Sequence, residues 1–111
     1  MSNEPRDCKL QEEESRERLK TITNNELKAK IKLSFGKIID VRSKEEFDKF
    51  HIKGAISVPL EELEDNLDKF DKKEELNVIC NTGNKTKKAG KIFEDNGFEM
   101  VSLVLPGMKE W

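Results

Sequence analysis

The stretch Leu76-Asn77-Val78-Ile79-Cys80 limits what this chain can fold into more than any other. It is a short, mostly apolar run that turns polar at Asn81 and reaches Gly83 soon after. A short apolar strand without strict alternation is at home where both of its faces are covered, as in a parallel sheet flanked by helices. The residues that follow agree. From Thr86 to Asn96 the apolar side chains of Ala89, Ile92 and Phe93 recur at helical spacing, and Asn96-Gly97 supplies a stop signal. The unit reads as strand, tight loop and helix, with a cysteine at the carboxyl end of the strand.

The rest of the chain repeats that alternation. Thr23-Asn24-Asn25-Glu26 fits a capping box, with Ile22 before it and Leu27, Ile31 and Leu33 as an apolar face. The helix it starts is expected to run to about Ser34, with Gly36 ending it. Lys37 to Val41 reads as a strand, and Ser43 caps a helix through Phe47 and Phe50. Ala55 to Val58 is the next strand, closed by Pro59, and Leu60, Leu63 and Leu67 space a third helix with Phe70 behind it. Met100 to Leu105 is the last strand; Pro106-Gly107 then turns into a helical stub whose Trp111 reads as a core plug. The expectation is a single α/β domain over residues 21–111, with a mainly parallel sheet of four or five short strands and helices on both faces. Residues 1–20 mix acidic and basic side chains with few apolar ones and read as a mobile tail.

Composition bears on function mainly by exclusion. Charged residues make up 40% of the 111 and apolar residues 34%, close to a disordered balance, but the apolar ones cluster between Ile38 and Trp111. The net charge of −2, with both signs interspersed, offers no field to recruit nucleic acid or an acidic membrane. No run approaches the roughly 18 apolar residues of a membrane span, and no apolar segment follows Met1 as in a secretory signal. The two cysteines, Cys8 and Cys80, do not make a disulfide framework, so a reducing cytoplasm is the expected setting. One histidine and two distant cysteines give no metal-ligand spacing, and no cofactor is expected.

A cysteine at a strand end, ahead of a glycine and a helix start, lies where loop amides and the helix dipole converge. A thiol in such a field loses its proton more readily, and the thiolate is the nucleophile. The charge order of the following helix points the same way: Lys85, Lys87, Lys88 and Lys91 crowd its start, while Glu94 and Asp95 sit near its end. That order opposes the dipole at about 0.3–1 kcal/mol per exposed charge, and it suits a site that holds an anion. The simpler reading, a solvated lysine face, applies most to Lys88 and Lys91. A phosphatase-type loop needs an arginine six positions after the cysteine; here that position is Thr86, and the basic residue, Lys85, falls one place early.

Taken in order, Ile39-Asp40-Val41-Arg42, Glu46-Phe47, His51-Ile52-Lys53-Gly54-Ala55-Ile56, Cys80-x-x-Gly83-x-Lys85-Thr86, Gly107 and Trp111 resemble a single-domain rhodanese over residues 22–111. The resemblance implies a sulfurtransferase or persulfide carrier. Cys80 would take up sulfane sulfur as a persulfide, and the amides of Asn81, Thr82, Gly83, Asn84, Lys85 and Thr86 would cradle the anionic donor or the persulfide. Asp40 and Arg42 would brace the loops beside the site, and His51 with Gly54 would form a structural turn, although a cysteine–histidine pair can be drawn on paper. The donor would be a small sulfur-containing anion such as thiosulfate, or a persulfide. The acceptor would be a thiol, cyanide or a protein cysteine. Lys85 stands where arginine is usual, keeping the charge but losing the bidentate fork that suits an oxyanion. Cys8 is read as without a role, with a resolving thiol as the minority reading. The other reading of the whole chain is a non-catalytic rhodanese-like interaction module.

Overall fold

The computed structural model describes residues 19–34 and 36–111. Five strands, β1 (Leu19–Thr23), β2 (Lys37–Asp40), β3 (Ile56–Ser57), β4 (Leu76–Ile79) and β5 (Val101–Leu105), form one sheet in the order β1-β5-β4-β2-β3. Every pairing is parallel. The connections carry helices α1 (Asn24–Lys32), α2 (Lys44–Lys49), α3 (Leu63–Asn66) and α4 (Asn84–Asp95), with a closing 3-10 turn at Met108–Glu110.

The pleat of β4 explains why both faces are filled. Leu76, Val78 and Cys80 point to one face, where they meet Leu63 of α3 and Ala89 and Phe93 of α4. Ile79 points to the other and joins Leu27 of α1, Ile38, Val104 and Met108. Phe93 is fully buried and packs edge-on against Phe98, with ring centroids 5.0 Å apart, and against Phe70 at 6.5 Å. Asn77, also fully buried, is satisfied: Lys30 Nζ donates to its Oδ1 (3.2 Å), and its Nδ2 donates to the Lys37 carbonyl (3.2 Å).

Local signals worked where they were strongest. The capping box closes as its spacing demands, with Glu26 N–H donating to Thr23 Oγ1 (3.1 Å) and Thr23 N–H to Glu26 Oε1 (2.9 Å). Ser43 accepts from Glu46 N–H at the start of α2 (3.3 Å).

Four expectations need correction. The sheet begins at Leu19, so two residues assigned to the tail belong to β1, held in register with β5 from Leu19 opposite Val101 to Thr23 opposite Leu105. Leu33 is 67% exposed, because α1 stops at Lys32 and the chain turns away through Ser34 at φ 59°. The third helix is a single α-turn between 3-10 turns at Leu60–Glu62 and Leu67–Lys69, although Leu63 is fully buried as expected. Helix α4 starts at Asn84 rather than Thr86, since Gly83 supplies the left-handed entry that a side-chain cap otherwise provides. Residues 1–18, among them Cys8, lie outside the described residues. No helix among the described residues is long and apolar enough to cross a membrane.

Candidate active site

The connection after β2 leads outward to β3, whereas the connection after β4 leads the opposite way to β5. Their carboxyl ends therefore flank the point where the strand order reverses, which is where open parallel sheets leave a binding crevice. Asp40 ends β2 and Cys80 follows β4, so the two polar signals of the sequence meet there.

Cys80 is 2% exposed, and its Sγ accepts a hydrogen bond from Gly83 N–H at 3.0 Å. The loop between strand and helix is only Cys80 to Gly83. Gly83 has φ 98°, a left-handed conformation that calls for glycine, and a Cβ there would also press on Leu105 Cδ2 at 2.6 Å. As the residue preceding α4 it offers no side-chain cap. The first helical bond runs from Lys87 N–H to the Gly83 carbonyl (3.0 Å), so the amides of Asn84, Lys85 and Thr86 precede the hydrogen-bonded ladder and remain free for a ligand. Thr86 Oγ1 is buried with no hydrogen-bond partner among the described residues.

A second turn braces the loop from behind. Met108 N–H donates to the Cys80 carbonyl (2.7 Å) and Lys109 N–H to the Asn81 carbonyl (3.1 Å). Gly107 lies so close that a Cβ would collide with the Cys80 carbonyl oxygen. Asn24, the first residue of α1, grips this glycine from the other end of the fold: its Nδ2 donates to the Gly107 carbonyl (2.9 Å) and its Oδ1 accepts from Gly107 N–H (3.2 Å).

The third wall comes from β2 and α2. Arg42 and Asp40 form a buried pair in which Arg42 Nη2 and Nε reach Asp40 Oδ2 (2.8 and 3.1 Å), and Arg42 Nη2 also donates to the Phe50 carbonyl (2.7 Å). The pair ties the end of β2 to the end of α2. Between them Glu46 Oε2 accepts from Asn81 Nδ2 at 2.5 Å, joining α2 to the residue after the cysteine. That hydrogen bond above all holds the Glu46 carboxyl below its ordinary value of 4.5; burial opposes it, and the Arg42 charge, the Ser43 hydrogen bond and the Lys85 charge assist in smaller measure.

Among the residues read from sequence, Gly83 and Thr86 are buried, Asn81 and Lys85 half-buried, and Thr82 and Asn84 exposed at the rim. Lys88 and Lys91 are exposed along α4, with Lys91 3.4 Å from Asp95. His51 stacks on Phe47 (centroids 3.8 Å apart), and its Nδ1 lies 2.8 Å from the Phe47 carbonyl. Trp111 packs half-buried on the core beneath α1, with Lys28 Nζ 4.7 Å from its ring centroid. A cavity of about 220 Å³ sits at the opposite, amino-terminal ends of the strands, between Lys20, Lys30, Glu75 and Ser102, where Lys30 Nζ is paired with Glu75 Oε2 (2.7 Å) and lies 3.5 Å from Ser102 Oγ. Asn24 was legible only as part of a capping box, and the bond from Glu46 to Asn81 had no signal beyond the Glu46-Phe47 match.

The family model for the rhodanese-like domain matches residues 23–111. The chain is 36% identical over 74 residues to the sulfur-carrier candidate YrkF of Bacillus subtilis, covering 67% of this chain and 40% of that protein. It is 34% identical over 65 residues to the thiosulfate sulfurtransferase PspE of Escherichia coli, covering 57% of this chain and 62% of that one. It thus spans less than two thirds of either relative. Among solved structures, a rhodanese-like domain protein of Staphylococcus aureus superposes with a TM-score of 0.78 at 35% identity, covering 83% of this chain and 90% of that one. The human single-domain sulfurtransferase TSTD1 gives a TM-score of 0.78 at 25% identity, over 82% of this chain and 93% of that one.

Proposed function

The chain belongs to the rhodanese-like domain family, and from that premise we propose that it is a sulfurtransferase or sulfur carrier in which Cys80 carries sulfane sulfur as a persulfide. The reaction divides into two displacements. In the first, the Cys80 thiolate attacks the outer sulfur of a donor; a new S–S bond forms, the donor's own S–S bond breaks, and its electron pair leaves with the sulfite or thiolate. In the second, an acceptor such as cyanide, a small thiol or a protein cysteine attacks the outer sulfur of the persulfide and returns Cys80 to the thiolate.

The observation that carries this reading is the cysteine sulfur accepting the Gly83 amide beside an uncapped helix start. A persulfide anion extends one sulfur beyond Sγ, and the free amides of Asn84, Lys85 and Thr86 supply donors for it with the dipole of α4 behind them. Because Cys80 is 2% exposed, a donor must present its sulfur at the end of an unbranched arm, which thiosulfate and persulfides both do. Asp40 and Arg42 act as braces, and neither step calls on them for a proton.

The test is turnover of a persulfide to cyanide, read as thiocyanate, by the wild type and by Cys80→Ser. The wild type is expected to turn over and the serine variant, with an unchanged circular dichroism spectrum, to be inactive. Turnover by the serine variant would remove Cys80 from the mechanism. No turnover by either protein would favour the interaction module.

A further inference from the structure

The charges around the cradle nearly cancel. Arg42 is spent on Asp40 in the buried pair, which leaves Lys85 as the cation of the loop and Glu46 as the anion facing it. Glu46 is held in place at both ends: its N–H caps onto Ser43 Oγ (3.3 Å), and its Oε2 takes the Asn81 side-chain amide, on the residue next to the nucleophile, at 2.5 Å. The same contact uses up an N–H donor at the rim that an anionic donor could otherwise have recruited.

We propose that Glu46 is the specificity-determining residue of this site, selecting persulfide donors over dianionic ones such as thiosulfate. The inference rests on the persulfide reading given above. When the Cys80 thiolate attacks thiosulfate, the electron pair of the breaking bond leaves with sulfite, so a dianion must enter and another must depart past the fixed carboxylate. Attack on a persulfide R–S–SH releases only R–S⁻, the proton staying on the transferred sulfur. The Glu46 carboxylate therefore opposes the first donor far more than the second, and the neutral amides of α4 serve both.

The experiment compares kcat/KM for thiosulfate, a dianion, and for hydroxyethyl persulfide, whose organic arm is uncharged and whose persulfide group carries at most one negative charge, with cyanide as acceptor, in wild type, Glu46→Gln and Glu46→Ala. Glutamine keeps an oxygen to accept from Asn81 and removes only the charge. It is expected to raise kcat/KM for thiosulfate roughly 3–10-fold, mainly through KM, while persulfide use changes little. The gain should shrink in added salt, as a charge effect does and a packing effect does not. Alanine also frees Asn81, and should lower the persulfide rate while retaining part of the thiosulfate gain. An unchanged donor ratio in Glu46→Gln, with wild type active on persulfide, would overturn the role of Glu46 and leave the persulfide reading standing. Failure of wild type with both donors would overturn both.

Discussion

Asn24→Ala tests whether the cysteine loop is held from the far end of the fold. In the native structure Asn24 is 7% exposed and forms two hydrogen bonds to Gly107, at 2.9 and 3.2 Å. Alanine leaves the buried Gly107 amide and carbonyl without those partners. Each unpaired buried group costs about 1–3 kcal/mol, and alanine regains about 0.5 kcal/mol of helix propensity in α1. The expected net loss is about 1.5–5.5 kcal/mol, read as a lower midpoint in urea at unchanged slope. In thermal unfolding the same loss corresponds to about 4–8 °C per kcal/mol for a domain of this size. Because Gly107 backs directly onto the Cys80 and Asn81 carbonyls, sulfur loading of Cys80 should slow as well. Asn24→Asp keeps an acceptor for Gly107 N–H and loses the donor, so the 3.2 Å hydrogen bond survives and the 2.9 Å one does not. A loss below about 0.5 kcal/mol in Asn24→Ala, the range of an ordinary surface substitution, would refute the clamp.

Lys85→Arg restores a planar fork beside the cradle and should raise thiosulfate use, by lowering KM; an unchanged or weaker rate would remove Lys85 from oxyanion binding. Acid stability gives an independent check. Glu46 and Glu74 have carboxyls held below 4.5, Glu46 first by Asn81 and Glu74 first by Lys37. The unfolded chain binds those protons more readily, so the stability they contribute is full above pH 4.5 and is lost as pH falls through the lowered folded values. Wild type and the double variant Glu46→Gln/Glu74→Gln should therefore differ in unfolding free energy at neutral pH and converge in acid. A constant difference across pH would contradict the assignment.

The parts of the fold legible in the sequence were those written in neighbouring residues. The capping box at Thr23 and Glu26, the Ser43 cap and the apolar run of β4 each act within a few positions, and each formed where its chemistry required. The cysteine ahead of Gly83 belongs with them, since strand, turn and helix start are adjacent in the chain. What was hidden is what distant segments impose. β1 has only Leu19 and Ile22 as apolar residues among polar ones, and it exists because its backbone finds β5, about 80 residues later. The grip of Asn24 on Gly107 joins residues 83 apart, and the Glu46 contact with Asn81 joins residues 35 apart. Leu33 reads as apolar helix face yet falls where the helix ends, a boundary set by the turn at Ser34. The candidate cysteine was thus visible locally, and its setting became visible only with the fold.

The most direct test of the central claim is the intact mass of the protein after incubation with a persulfide donor. Wild type is expected to gain one sulfur atom, localised to the Cys80 peptide, lost on treatment with a reductant and absent from Cys80→Ser. A sulfur retained in the serine variant, or wild type whose mass stays unchanged with every donor, would contradict the assignment of Cys80 as the sulfur-carrying nucleophile.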